Sequence, residues 1–229
     1  MKKKIAVLTG AGISAESGIK TFRDSGGLWE EHRIEDVASP EGWRRNPQLV
    51  LDFYNQRRRQ LLQVAPNRAH YALAELESKY SVTIITQNVD DLHERAGSTQ
   101  VIHLHGELLK ARSVLNEHCI VPCHSDIKLG DKAPDGAQLR PHIVWFGEAV
   151  PEIENAIPKV READIFIIIG TSLVVYPAAG LVNYARYEAR KWLIDPNDTP
   201  MPLVPNLRFI QQKATVGVDM LVKQLLADV

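Results

Sequence analysis

The sequence predicts an α/β fold: a Rossmann-like parallel sheet with helices on both faces, carrying a small inserted module. Three observations predict it. Short apolar runs alternate with stretches of helical periodicity along most of the 229 residues. The runs at 5–8 and 165–169 are apolar at every position, as strands buried on both faces require. Glycine or polar residues follow directly after the runs, at Gly10, Gln87, His105, Gly170 and Asp195. In open parallel sheets these carboxyl ends are where ligands bind.

Residues 5–8 form the first strand, which runs into the glycine turn Thr9-Gly10-Ala11-Gly12 ahead of a helix-like stretch. Residues 47–63 read as a helix, with Leu49, Val50, Phe53, Leu61 and Leu62 roughly on one face. Pro66 and Asn67 announce a new helix whose apolar stripe is Ala69, Ala72, Leu73 and Leu76. Strands follow at 82–86 and 101–104. A helix at 152–163 leads into a strand at 165–169, and a helix is expected at 177–187. Strands at 191–194 and 207–210 precede the last helix at 216–226. Residues 26–45 and 112–140 do not fit the alternation. The expected division is 1–25, 68–110 and 141–229 for the Rossmann-like domain, with 26–67 and 111–140 forming the other wall of a cleft.

The formal net charge is −1, so there is no global basic field for nucleic acid. The run Arg57, Arg58, Arg59 is too short to change that and by itself reads as a solvated helix face. The longest greasy run, 165–169, is strand-sized and cannot span a bilayer. The basic start is followed by an apolar stretch that stops at Thr9, too short for a secretory signal. Two cysteines exclude a disulfide scaffold, and a cytoplasmic monomer without a membrane partner is expected.

Glycines in a strand-to-helix turn let the backbone approach a pyrophosphate, whose charge free N–H groups hold. A plain tight turn reads the same way. A dehydrogenase would need an acid about 20 positions on, after a second strand. Asp24 stands near that distance but in a polar loop.

Longer strings carry more. Residues 10–19 read Gly-Ala-Gly-Ile-Ser-Ala-Glu-Ser-Gly-Ile, followed by Thr21-Phe22-Arg23-Asp24 and Gly27-Leu28-Trp29. Residues 86–93 read Thr-Gln-Asn-Val-Asp-Asp-Leu-His, 103–106 His-Leu-His-Gly, 141–148 Pro-His-Ile-Val-Trp-Phe-Gly-Glu, and 170–173 Gly-Thr-Ser-Leu. In order and spacing these resemble the signatures of the sirtuins over nearly the whole chain.

The resemblance implies an NAD-dependent protein-lysine deacylase, with NAD as co-substrate and acylated lysines of proteins as partners. In that family the acyl carbonyl oxygen attacks C1′ of the nicotinamide ribose, nicotinamide leaves, and the acyl group ends on ADP-ribose. The histidine that helps deprotonate a ribose hydroxyl is by position His105, and imidazole suits that task. Asn88 and Asp90 match residues on the nicotinamide ribose and carboxamide; they could equally cap the short helix starting near 90. The resemblance puts the cofactor against Gly10, Ala11, Gly12, Ser14, Glu16, Phe22, Arg23, Trp29, Gln87, Asn88, Asp90, Gly170, Thr171, Ser172, Asp195 and Ala214. Asp195 departs from the family, where asparagine is usual.

Tyr54 and Arg57 are three apart on the helix at 47–63 and share a face. In sirtuins that remove succinyl and malonyl groups a Tyr-x-x-Arg pair lines the acyl pocket, and guanidinium takes carboxylates bidentately. The plainer reading is a surface arginine beside a half-buried tyrosine. Val144, Phe146, Gly147 and Glu148 match a strand that pairs with the substrate peptide. Most sirtuins hold their small module with a four-cysteine zinc site. This chain has only Cys119 and Cys123, and Ser113 falls near the place of a first ligand. His118, Cys119, Cys123 and His124 are the right donor types, but adjacent pairs diverge, so a metal-free module held by packing and loops is expected. A sirtuin-like ADP-ribosyltransferase and a non-catalytic NAD or ADP-ribose binding module are the competing classes. The intact His105 and the Tyr54/Arg57 pair argue against the first, and the retention of both His105 and Asn88 argues against the second.

Overall fold

The computed structural model describes residues 2–20, 28–29, 32–198 and 204–228, with the side chains of 28–29 outside the description. Phe22 and Arg23 therefore lie outside the described residues, and of Trp29 only the backbone is described.

In chain order the elements are β1 (Lys4–Thr9), β2 (Leu28–Trp29), β3 (His32–Arg33), α1 (Ile34–Val37), α2 (Pro40–Arg45), α3 (Pro47–Leu61) and α4 (Arg68–Glu75). Then come β4 (Ser81–Thr86), α5 (Leu92–Arg95), β5 (Val101–His103), β6 (Gly106–Ser113), β7 (Ile120–Pro122) and β8 (Leu139–Ile143). The chain continues through α6 (Ile153–Glu162), β9 (Ile165–Ile169), β10 (Arg190–Ile194), β11 (Leu207–Ile210) and α7 (Ala214–Ala227).

Six strands form one parallel sheet in the order β11-β10-β9-β1-β4-β5. Alternation assigns side chains to its two faces. Ile5 and Val7 of β1 join Ile165, Ile167 and Ile169 of β9 under α4 and α7, whose Leu73 and Leu221 close that core. Ala6, Leu8, Phe166 and Ile168 point the other way, onto Val160 of α6 and Leu181. This explains runs with no polar position. The chain leaves β1 for β4 on one side and reaches β9 on the other, so β1 sits at the switch point where a crevice opens.

Local signals set the helix starts. Asn46 caps α3 through Leu49 N–H at 3.1 Å, with Pro47 at the first position. Asn67 caps α4 through Ala69 N–H at 2.9 Å, while His70 Nδ1 accepts the Asn67 N–H at 3.2 Å.

Four expectations need correction. The helix expected at 177–187 is a 3₁₀ run, Ala178–Tyr184, with Gly180 in its middle, where helix propensity is poor. The stretch after the first glycine turn is two 3₁₀ turns, Ala11–Ile13 and Ala15–Ser17, not a regular helix. Segment 112–140, expected as a helical or loop module held by packing and loops, carries strands: β7, β6 and β8 form a three-stranded antiparallel sheet, and β6 begins ahead of the expected boundary at 111. Finally, the arginine run is not a uniformly solvated face. Arg58 is 1% exposed. Its Nε donates to Leu108 O at 3.0 Å and its Nη1 to Asn55 Oδ1 at 2.7 Å, binding α3 to β6.

Candidate active site

The glycine turn after β1 rests against the turn after β9. Gly12 N–H donates to Gly170 O at 2.9 Å, and Gly170 has φ +60°. A Cβ on Gly12 would lie 2.6 Å from Gly170 Cα, and one on Gly10 2.7 Å from Gly170 O. No side chain fits between these turns. Thr171 and Gln87 join them, Gln87 Nε2 donating to Thr171 Oγ1 at 3.0 Å.

Beneath the turn lies a buried polar network. Ser14 Oγ donates to Asp90 Oδ2 at 3.0 Å and accepts from Asn88 Nδ2 at 3.2 Å. Asn88 Nδ2 also reaches Gly10 O at 3.2 Å, and its backbone N–H reaches Thr86 Oγ1 at 3.0 Å. Because His70 Nδ1 accepts a backbone N–H, its proton sits on Nε2, 3.5 Å from Ser14 Oγ. His93 stands edge-on to His70 at 4.9 Å and bonds Thr9 Oγ1 through Nε2 at 3.1 Å. Burial lowers His70 to about 4 and His93 well below its ordinary value, so both stay neutral. Burial pushes the Asp90 carboxyl up to about 6, against the bonds from Leu92 N–H and Ser14.

Two histidines close the site. His105 donates Nδ1–H to Gln87 O at 3.0 Å, and His103 donates Nδ1–H to the next carbonyl, Asn88 O, at 3.3 Å. Their roles then diverge. Burial holds His105 below the ordinary imidazole value, leaving Nε2 as a basic lone pair. Burial also opposes charge on His103, but Glu94 Oε1, 2.7 Å from Nε2, outweighs it and raises the imidazole. With acceptors at both nitrogens, the His103 ring is fixed under the Asn88 loop and favours the protonated form more than a free imidazole does.

The structure separates some expected residues from the centre. Glu16 does reach Ala214's helix: its carboxylate accepts Thr215 N–H at 3.1 Å and Thr215 Oγ1–H at 2.9 Å, tying the glycine turn to the start of α7. Asp195 follows β10, is 1% exposed, and its Oδ1 accepts Asn197 N–H at 3.0 Å. Ser172 is half-buried beside Thr171.

Tyr54 is fully buried, contrary to the plainer reading, and its hydroxyl accepts Trp145 Nε1–H at 3.1 Å. The Arg57 guanidinium lies 4.5 Å over the Phe53 ring, and Phe53 meets Tyr54 edge-on at 5.1 Å.

The segment expected as a peptide-pairing strand is a turn instead. Glu148 N–H returns to Trp145 O at 3.0 Å, and Gly147 has φ +91°. The N–H groups of Val144 and Phe146 go to His105 O and Ala38 O, and that of Trp145 to Glu148 Oε2. Those donors are spent within the chain. Glu148 does not face outward: Arg140, Arg112 and Trp145 hold its carboxylate. Phe146 is 47% exposed.

Cys119 and Cys123 are free thiols, and among the described residues no group of three or more His, Cys, Asp or Glu could hold a metal ion.

Sequence reading missed His70, His93, Thr9 and Thr86 as supports of the site, along with the link from Trp145 to Tyr54. The Asn67-x-x-His70 spacing of the capping box was the one available signal.

An α/β domain with bare glycine turns at its switch point and a histidine, amide and carboxylate beside them is a nucleotide-handling enzyme class. The comparisons make this specific. The Sir2 family model matches residues 10–177. A Bacteroides thetaiotaomicron NAD-dependent protein deacylase is 57% identical over 230 residues, covering 98% of each chain. A Vibrio cholerae NAD-dependent protein deacylase is 50% identical over 237 residues, covering 98% of this chain and 94% of its own. A solved Sir2 homolog–NAD complex superposes with a TM-score of 0.88 at 40% identity, over 99% of this chain and 91% of that one. The chain belongs to the Sir2 family.

Proposed function

We propose that this chain, an NAD-dependent protein deacylase, removes lysine acyl groups that end in a carboxylate, succinyl and malonyl among them, releasing nicotinamide and O-acyl-ADP-ribose. The donor set fits NAD: glycine turns that admit no side chain, an amide and a carboxylate on one polar network, and a neutral imidazole. What NAD supplies is an electrophilic ribose carbon with nicotinamide as the leaving group.

The residues of the chain do the rest. Gly10, Ala11, Gly12, Gly170, Thr171 and Ser172 receive the phosphates and adenosine side. Asn88 and Asp90, held by Ser14, orient the nicotinamide ribose and carboxamide. His105 Nε2 takes the ribose hydroxyl proton, its ring aimed by the Nδ1–H bond to Gln87 O. The sheet forms one wall of the cleft and the module built on α3 and β6–β8 the other. The acyl-lysine of a protein enters between them, past Val144, Phe146 and Gly147.

The observation that carries the acyl preference is the pairing on α3 of a buried Tyr54 hydroxyl with the Arg57 guanidinium, both against Phe53. Guanidinium and phenol together suit a carboxylate. Matched acetyl-, succinyl- and unmodified lysine peptides, incubated with NAD while nicotinamide and free lysine are measured, test it. Succinyl-lysine is expected to turn over faster than acetyl-lysine, and Arg57→Met to lose the succinyl activity. Preference for acetyl with no effect of Arg57→Met would make the pair structural. A solved Sir2 complex with a deacetylated p53 peptide and 3′-O-acetyl ADP-ribose superposes at a TM-score of 0.78 and 30% identity, over 99% of this chain and 94% of that one, and supports protein lysines as the partner.

A further inference from the structure

Trp145 links the turn at the cleft mouth to the acyl-facing helix. It is 2% exposed, and its Nε1–H reaches Tyr54 Oη at 3.1 Å. The indole has little freedom. The Arg140 guanidinium stacks 3.2 Å from the centroid of its ring, and Trp43 packs at 5.8 Å. Arg140 is itself fixed, donating to Glu148 Oε1 at 2.7 Å and to Ile143 O at 2.8 Å. Glu148 Oε2 then takes the Trp145 backbone N–H at 2.8 Å. Ring and backbone are both anchored, and the N–H aims at the phenol.

A phenol oxygen both accepts and donates. With the indole N–H as its incoming donor, the Tyr54 hydroxyl must turn its own hydrogen away from Trp145. Burial pushes the phenol up, opposed in part by the Trp145 bond, so that hydrogen is retained at working pH. A carboxylate needs donors, and an acetyl methyl needs none.

We propose that Trp145 is a specificity-determining residue: by bonding Tyr54 it holds the phenol hydroxyl as a donor, and so favours acyl groups that end in a carboxylate over acetyl. This rests on the reading of Tyr54 and Arg57 as the acyl-end pair. Trp145 acts through Tyr54 and touches no reacting atom, so it is a positioning residue.

The test is steady-state kinetics with matched succinyl- and acetyl-lysine peptides for the wild type, Trp145→Phe, Tyr54→Phe, their double variant and Arg57→Met. Phenylalanine keeps a ring for Arg140 and Trp43 but has no N–H. Trp145→Phe is expected to raise KM for the succinyl peptide about 5–10-fold, the worth of roughly one hydrogen bond. KM for the acetyl peptide and kcat on both are expected to stay within about two-fold on the same grounds. The double variant is expected to match Tyr54→Phe alone, since both changes remove one interaction. An equal effect on both peptides, no effect on either, or additive losses overturns the inference. Succinyl activity that survives Arg57→Met instead defeats the underlying acyl reading. A second measurement uses the unmutated protein: the Trp145 indole N–H resonance is expected to shift on adding succinyl-lysine peptide and not acetyl-lysine peptide. Equal shifts overturn the inference even where Trp145→Phe does not fold.

Discussion

Ser14 and Asp90 are joined by a 3.0 Å hydrogen bond in which the serine hydroxyl donates to Oδ2. The glycine turn thereby holds a carboxylate that burial has made hard to ionise. Asn88 and His70 meet on the same hydroxyl, so one small side chain fixes the positions of the groups expected on the nicotinamide ribose.

Asp90 is expected to cost the fold stability. Its carboxyl rises from 3.8 to about 6, so above pH 6 the folded chain carries a charge that the unfolded chain holds more easily. At roughly 1.36 kcal/mol per unit this amounts to about 3 kcal/mol at neutral pH, fading as pH falls from 6 toward 4. Asp90→Asn is expected to lose deacylation, yet to gain stability relative to wild type as pH rises from 4 to 8. Urea unfolding at both pH values reads this; a difference that shrinks as pH rises would contradict it.

His105 must be neutral to accept a proton, and burial lowers its pKa, against the support of Gln87 O. The acid limb of kcat/KM is therefore expected below pH 6.5, with the rate rising as the imidazole deprotonates. His105→Ala is expected to lose about 10²–10⁴-fold in kcat, the usual worth of a positioned base, with NAD affinity changed little. An acid limb that persists unmoved in a residually active His105 variant would point to another group.

The site was legible in the sequence to unequal depth. The wholly apolar β9 and the glycine turn after β1 declared themselves because their hydrophobic pattern and turn chemistry are local. The module sheet did not. β6 pairs with β7 across seven or more intervening residues and with β8 across a longer connection, and pairing of that kind leaves no local mark. Arg58 misled for the same reason: its carbonyl partner, Leu108, lies on β6. The turn at 144–148 was hidden because Glu148 closes it from within, and a Trp-Phe-Gly-Glu string reads equally as the end of a strand. His105 was legible because it follows a strand of the sheet, whereas Asn88 and Asp90 were legible only through the resemblance of residues 86–93 to a family signature.

Gly12→Ala is expected to disable NAD binding with little change in secondary structure. Its Cβ would press on Gly170 Cα from 2.6 Å, and that atom belongs to backbone that cannot swing aside as a flexible side chain could. Overpacking of this kind costs about 1–3 kcal/mol. Calorimetry is expected to find NAD affinity lowered at least about ten-fold, the equivalent of 1.4 kcal/mol. Unchanged affinity would show that the two turns can part without harm.

The contact between Gly12 N–H and Gly170 O joins the start of the chain to a residue far along it. During synthesis β1 and β4 emerge early and can pair, but the glycine turn has no opposing surface until β9 has left the ribosome and docked beside β1. On the proposed role of the glycine turns, affinity for the dinucleotide is therefore expected to arise late in translation, and a fragment ending before Ile165 is expected to bind no NAD.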